Sequence, residues 1–164
     1  MMLFLLVVIL ALNGFVHCQD RFVPVAQGRC GVDGWTQFGD GCYYHYSTPK
    51  AWIEARKTCQ AYQSDLVCIS SERENDFVAQ LTEGETAWIG LRDEYPYADM
   101  TDPREEPEDQ WMWTDTSPYQ YTNWAEGQPS GYQDTVQINY DGRGKWDDQD
   151  YWVKQGFVCE KPQI

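Results

Sequence analysis

The sequence has few basic residues for its size. Twelve Lys and Arg side chains stand against 26 Asp and Glu side chains among 164 residues, which gives a formal charge of −14. Such a chain repels phosphate groups and anionic lipids, so the composition excludes nucleic acids and membrane surfaces as predicted partners. An acidic surface suits cations, basic proteins or mineral faces, and it also serves simply to keep a secreted protein soluble.

Motifs for catalysis are missing as well. The sequence contains no Gly-x-Ser-x-Gly, no His-Glu-x-x-His and no P-loop. Its two histidines, His17 and His45, leave little for acid–base chemistry. Most carboxylates in the second third of the chain fall in Asp93–Gln110, a stretch with three prolines that predicts a long solvated loop. We therefore predict a protein that is not an enzyme.

The first twelve residues form the longest apolar run of the chain, and it is too short to span a membrane. It is broken by Asn13-Gly14, and Val16 and Cys18 are small residues that suit the positions before a cleavage site. We predict a signal peptide at 1–18, a short N-terminal extension at 19–29 and a single domain at 30–161. The predicted location is therefore secreted and extracellular.

Cysteines of the secreted chain lack the paired C-x-x-C spacing of a zinc site. Five remain after cleavage, and in an oxidising compartment they indicate disulfides: Cys30, Cys42, Cys59, Cys68 and Cys159. Their odd number leaves either one free thiol or a bridge to another chain, and spacing alone does not fix which residues pair.

Two helices followed by short strands are predicted from the pattern. Thr48-Pro49 predicts the start of the first helix, in which Trp52, Ala55, Cys59 and Tyr62 form an apolar stripe. Ser71 and Glu74 form a capping-box pattern that predicts the start of the second helix. Four apolar runs predict strands: 66–69, 87–91, 135–139 and 157–160. This order predicts an α+β domain.

Several motifs occur in an order that resembles a known family. They are Gly34-Trp35 between Cys30 and Cys42, Trp52-x-x-Ala55-x-x-x-Cys59, Trp88-Ile89-Gly90-Leu91-x-Asp93, Trp111-x-Trp113-x-Asp115, Asn123-Trp124, and Phe157-Val158-Cys159-Glu160. Together they resemble a C-type lectin-like domain of the long form. The resemblance implies two helices packed on antiparallel sheets with a long loop region.

The resemblance also implies how the cysteines pair. Cys59 would bond to Cys159 and Cys30 to Cys42, and Cys68 would be a buried free thiol, with a bridge to another chain as the alternative. A further disulfide, common in the family, is absent because its positions hold Thr135 and Tyr151.

A calcium site that binds sugar is the family property most relevant to function. Gln128-Pro129-Ser130 resembles the galactose-type loop, with Ser130 in place of an acidic or amide residue, and Asp147 and Asp148 follow Trp146 at the second ligand motif. Gln133 stands near the position of a glutamate. Because calcium takes 6–8 oxygen ligands and prefers charged ones, the resemblance implies a weakened Ca²⁺ site made by Gln128, Gln133, Asp147 and Asp148.

Tyr132, next to this loop, either stacks on a sugar or is simply an exposed tyrosine. The predicted ligand-binding residues are therefore Gln128, Ser130, Tyr132, Asp147 and Asp148. The first functional hypothesis is a lectin that binds a glycan through the weakened calcium site, with a preference for galactose-type sugars. The alternative is a calcium-independent module that binds a protein, mineral or ice surface.

Overall fold

A computed structural model describes residues 30–31, 34–93 and 111–163. The predicted signal peptide at 1–18, the extension at 19–29 and all but the first residue of the acidic stretch Asp93–Gln110 lie outside the described residues. Among the helices described, none is long and apolar enough to cross a membrane.

Two helices and eight strands make up the described part of the chain. The helices are α1 (Trp52–Ala61) and α2 (Glu72–Leu81). The strands are β1 (Thr36–Phe38), β2 (Gly41–Lys50), β3 (Asp65–Leu66), β4 (Ala87–Asp93), β5 (Trp111–Trp113), β6 (Thr135–Ile138), β7 (Trp146–Gln149) and β8 (Gln155–Pro162). The α+β class and the two predicted helices are confirmed.

A single sheet connects the strands in the order β1-β2-β8-β4-β6-β7, with β3 added to β8 and β5 added to β4. All of these pairs are antiparallel except β4 with β8. Strands β1, β2 and β8 therefore form one side of the sheet, and β7 forms the opposite edge.

Helix α1 begins later than predicted. Thr48 and Pro49 belong to the end of β2, next to an irregularity in its pairing with β8, where the missing N–H of proline is tolerated. The helix starts at Trp52, whose backbone N–H donates to the Tyr151 carbonyl at 2.9 Å, so a distant loop replaces the predicted hydroxyl cap. Tyr62 lies beyond the helix and is exposed, so the buried stripe ends at Cys59.

Helix α2 has the predicted cap with one difference. The Ser71 hydroxyl accepts the Glu74 backbone N–H at 3.3 Å. The Glu74 carboxylate bonds to the backbone N–H and the hydroxyl of Ser70, one residue before the cap. Ser71 and Glu74 therefore both form hydrogen bonds at the start of the helix. The Glu74 side chain is buried.

Two buried clusters hold the helices on the sheet. One joins α1 to the sheet and includes Trp52, Cys59, Trp88 and Phe157. The other lies between α2 and the sheet and includes Val78, Ile89, Leu91, Trp113 and Trp146. The tryptophans of the sequence motifs thus serve mainly as packing residues.

Disulfides join Cys30 to Cys42 and Cys59 to Cys159, which are the pairs implied by the resemblance. The second disulfide ties α1 to the central strand β8. Cys68 is buried and forms no disulfide among the described residues.

Candidate ligand-binding site

Asp148 anchors the loop that carries most of the predicted ligand residues. It lies on β7 and is only 3% exposed. Its carboxylate accepts the backbone N–H of Ser130 at 2.6 Å, of Gly131 at 3.1 Å and of Gln133 at 3.3 Å. The Ser130 hydroxyl oxygen lies 2.7 Å from Asp148 Oδ2 and 2.5 Å from Gln133 Oε1, and its single proton serves one of these two acceptors. Three backbone N–H groups of one loop therefore converge on a single carboxylate.

The conformation of Gly131 allows this convergence. Its φ of 77° lies in the left-handed region, which glycine adopts without a steric penalty. Consecutive backbone N–H groups that point inward form a concave site for an anion. The backbone N–H groups of the loop thus face the Asp148 carboxylate.

Asp147 has a different set of contacts. Consecutive residues of a strand point to opposite faces of the sheet, and Asp147 lies opposite Gln137 of β6. Its carboxylate accepts the Gln137 side-chain amide at 2.9 Å in the interior. Burial raises the pKa of Asp147, the bond from Gln137 opposes this rise, and the charge of Asp148 adds to it. The two aspartates are therefore satisfied by separate partners.

The remaining predicted residues lie around the loop. The Ser130 hydroxyl is 2.5 Å from Gln133 Oε1, so the structure brings Ser130, Gln133 and Asp148 together. Tyr132 is 87% exposed at the loop surface. Gln128 is half-buried, its Oε1 is buried without a hydrogen-bond partner, and its backbone N–H donates to the Ala125 carbonyl.

Negative charge is concentrated beside the loop. Burial raises the pKa of Asp134, and the nearby carboxylates of Asp93, Asp150 and Asp148 raise it further. The Asp134 carbonyl accepts the Asp93 backbone N–H at 2.9 Å, which connects β4 to the start of β6. This face therefore combines hydrogen-bonding groups with an acidic rim.

The donor set does not fit a preformed calcium site. Calcium needs 6–8 oxygen ligands and is held mainly by carboxylates. The Asp148 carboxylate already accepts three backbone N–H bonds, and that of Asp147 accepts the Gln137 side-chain amide. Gln128 Oε1 is an unpartnered acceptor, but within the described ranges no group of three or more His, Cys, Asp or Glu side chains could hold a metal ion.

At one of the two positions of the missing family disulfide, this chain forms a hydrogen bond instead. The Thr135 hydroxyl donates to the Gln149 carbonyl at 2.7 Å and so ties β6 to β7. Tyr151 is exposed instead.

Sequence reasoning did not find Gly131 or Gln137 as site residues. A turn signal at Ser130-Gly131 could have indicated the first, whereas nothing in the sequence indicated the second.

These features define a disulfide-linked α+β domain with a polar loop anchored at one edge of its sheet. The family model described as Lectin C-type domain matches residues 48–161. The chain therefore belongs to the C-type lectin domain family, whose members are generally binding proteins and not catalysts.

Individual relatives agree with this assignment. Human asialoglycoprotein receptor 2 is 33% identical over 90% of this chain and 46% of its own length. Snaclec rhodocetin subunit gamma of Calloselasma rhodostoma is 34% identical over 80% of this chain and 95% of its own length. The carbohydrate-recognition domain of cow CD23, solved in the presence of a GlcNAc2Man3 oligosaccharide, has 31% identity and a TM-score of 0.67, with 81% of this chain and 96% of that chain covered.

The relatives differ in how much of their length this chain matches. It spans less than half of human asialoglycoprotein receptor 2 and 37% of the mouse low affinity immunoglobulin epsilon Fc receptor. It spans nearly all of the snaclec subunit. The shared part is thus the lectin-type domain.

Proposed function

We propose that this protein is a secreted, non-catalytic recognition protein that binds a glycan at the surface of the 128–133 loop without a resident calcium ion. The observation that carries the proposal is the Asp148 carboxylate, which accepts three backbone N–H groups of that loop. Because hydrogen bonds within the protein hold the loop in place, the binding surface is organised before any ligand arrives, which lowers the ordering cost of binding.

Exposed groups of the loop suit a sugar. The ring of Tyr132 offers an aromatic face to the apolar side of a pyranose, and Ser130 and Gln133 offer polar groups beside it. A rotation of the Gln128 side chain would present its unpartnered Oε1 to a sugar hydroxyl. The Gln128-Pro129-Ser130 sequence resembles a galactose-type loop, so galactose is the first sugar to test.

Calorimetry with galactose and galactose-ended oligosaccharides, in calcium and in EDTA, tests this proposal. We expect equal affinity in the two buffers and about a two- to tenfold loss for Tyr132→Ala, in line with the roughly 0.5–1.5 kcal/mol that an aromatic contact contributes. Tyr140→Ala is the matched control because Tyr140 is also an exposed tyrosine, 49% accessible. Galactose binding that EDTA abolishes would contradict calcium independence and return Gln128, Gln133, Asp147 and Asp148 to the role of calcium ligands.

The secreted location can be tested by expressing the full chain in cells that process signal peptides. We expect the protein in the culture medium with Gln19 as its first residue. Retention of the chain in the cell, or an N-terminus that includes residues 1–18, would contradict the proposed cleavage.

A protein ligand is the second candidate. Tyr151 and Trp152 are exposed side by side, with ring centroids 4.9 Å apart, and Trp152 is 59% accessible. Aromatic side chains are enriched where proteins contact each other. If no glycan binds and Trp152→Ala lowers the affinity of a purified partner protein while Tyr132→Ala does not, this candidate replaces the first. Adsorption of the Trp152→Ala and Tyr132→Ala variants to mineral and to ice tests the alternative of a mineral or ice surface.

A further inference from the structure

Three side chains from different elements meet on the side of the sheet opposite to β7. Tyr43 of β2 lies directly across from Glu160 of β8, and Glu74 of α2 approaches both. The Tyr43 hydroxyl oxygen is 2.7 Å from Glu74 Oε1 and 3.2 Å from Glu160 Oε1. Tyr43 is 3% exposed and Glu74 is 7% exposed, so this contact lies in the interior.

The number of protons at this contact decides which hydrogen bonds can form. The Tyr43 hydroxyl has one proton and can donate it to only one of the two carboxylates. The shorter distance assigns that proton to Glu74. A second hydrogen bond, between Glu160 and the Tyr43 oxygen, forms only if Glu160 is itself protonated and donates. With Glu160 ionised, its oxygen would instead face a lone pair of Tyr43.

Hydrogen bonds to the outer oxygens favour the same distribution. Glu74 Oε2 accepts two bonds from Ser70, at 2.8 Å and 2.7 Å. Glu160 Oε2 accepts one longer bond, from the Cys68 backbone N–H at 3.2 Å. Glu160 therefore has little hydrogen bonding to stabilise its charged form.

Among the described residues, no Lys, Arg or His side chain forms an ion pair with Glu160. Asp65 of β3 lies directly across from Glu160 on its other side and is paired with Arg56 at 3.0 Å. The Lys161 ammonium lies 4.5 Å from the centre of the Trp35 ring. The groups that face Glu160 from the packed elements are therefore acidic or neutral: Tyr43, Asp65, Cys68, Glu74 and Asp115.

We propose that Glu160 carries a proton in the folded protein and that this proton joins β8 to β2 and α2, so that the clasp of Tyr43, Glu74 and Glu160 weakens when the proton is lost. Burial raises the pKa of Glu160 to about 7 from an ordinary value of 4.5, the Glu74 and Asp115 charges add to the rise, and the contacts with the Cys68 N–H and the Tyr43 hydroxyl oppose it. The folded protein thus holds this proton more tightly than the unfolded chain.

The groove beside the clasp gives the proton a path. Its volume is about 610 Å³, and its lining includes Glu74, Glu160, Asp115 and Lys161. Solvent protons therefore exchange with Glu160 without unfolding of the domain.

The direction of the pH effect follows from the raised pKa. A carboxyl group that is more basic in the folded state stabilises the fold fully below pH 4.5, and this contribution is lost as the pH rises through about 7. The temperature at the midpoint of unfolding should therefore decrease as the pH is raised from 5 to 8. Glu160→Gln, which imitates the protonated carboxyl, should remove most of that fall, whereas the exposed control Glu126→Gln should behave as the wild type.

Carboxyl NMR of the wild-type protein measures the proton directly and does not depend on any variant folding. We expect the Glu160 carboxyl carbon to titrate at least one pH unit above the ordinary glutamate value of 4.5. A smaller difference would overturn the proposal. So would a Glu160→Gln variant that folds and keeps the pH dependence of the wild type.

Discussion

Replacing Asp148 by alanine tests whether hydrogen bonds hold the 130–133 loop. The change removes a carboxylate that accepts three backbone N–H bonds. A bond to a charged acceptor contributes about 1.5–3 kcal/mol. Ser130 and Gly131 are exposed, so water can replace part of what the loop donors lose. Counting about half of the three bonds as lost, we expect the free energy of unfolding to fall by about 2–4.5 kcal/mol.

Urea unfolding at neutral pH measures this loss, with Asp141→Ala as the control because Asp141 is exposed beyond β6. The same titration in EDTA and in about 10 mM calcium examines the ion. Even a site with a dissociation constant of about 1 mM would add about 1.4 kcal/mol at that concentration. We expect no difference between the two buffers.

Two results would refute this reasoning. One is an Asp148→Ala variant that loses no more stability than Asp141→Ala, since the loop would then be held by something else. The other is stabilisation of the wild type by calcium that the Asp148→Ala variant lacks, because Asp148 would then be an ion ligand.

Three further changes address the fold. Replacing Cys59 and Cys159 together by alanine should lower the free energy of unfolding by about 4–5 kcal/mol in non-reducing urea titrations, because the disulfide closes a loop of 100 residues; a loss below about 1 kcal/mol would contradict this. Ser71→Ala should cost about 1 kcal/mol through loss of the α2 cap, and Gln80→Ala, on the exposed side of the same helix, should cost less. Burial raises the pKa of the Cys68 thiol, so a thiol reagent at pH 8 should label it only after denaturant is added; rapid labelling of the folded protein would show that the thiol is accessible.

Elements whose residues follow a simple periodicity were predictable from the sequence. The stripe of Trp52, Ala55 and Cys59 located α1, and Ser71 with Glu74 located α2. The apolar run at 87–91 located β4. In each case, the local pattern and the packing in the fold require the same residues.

Elements that depend on distant partners were not predictable. The start of α1 is set by the Tyr151 carbonyl, about a hundred residues further along the chain, so Thr48-Pro49 was a misleading signal. Strand β7 contains two adjacent aspartates, which no strand pattern favours. They are buried because Gln137 and the 130–133 loop supply hydrogen bonds, and neither partner is evident before the chain is folded.

The candidate site was likewise only partly predictable from the sequence. Its residues could be proposed from their resemblance to a family loop, but the internal satisfaction of Asp148 could not. It depends on the left-handed Gly131 and on the position of the loop over β7. A motif therefore indicated where to look and not which groups remain available to a ligand.

The order of strands in the sheet also bears on how the domain can be attached to other molecules. The described chain enters through β1 and β2 and leaves through β8, which are neighbours, whereas the 130–133 loop is bound to β7 at the other edge. Five strand spacings separate β1 from β7, about 24 Å along the sheet. A tag, a fluorophore or a solid support joined at either terminal strand should therefore leave the loop uncovered. The same layout allows a domain of this kind to be displayed at the end of a longer polypeptide with its loop facing outward.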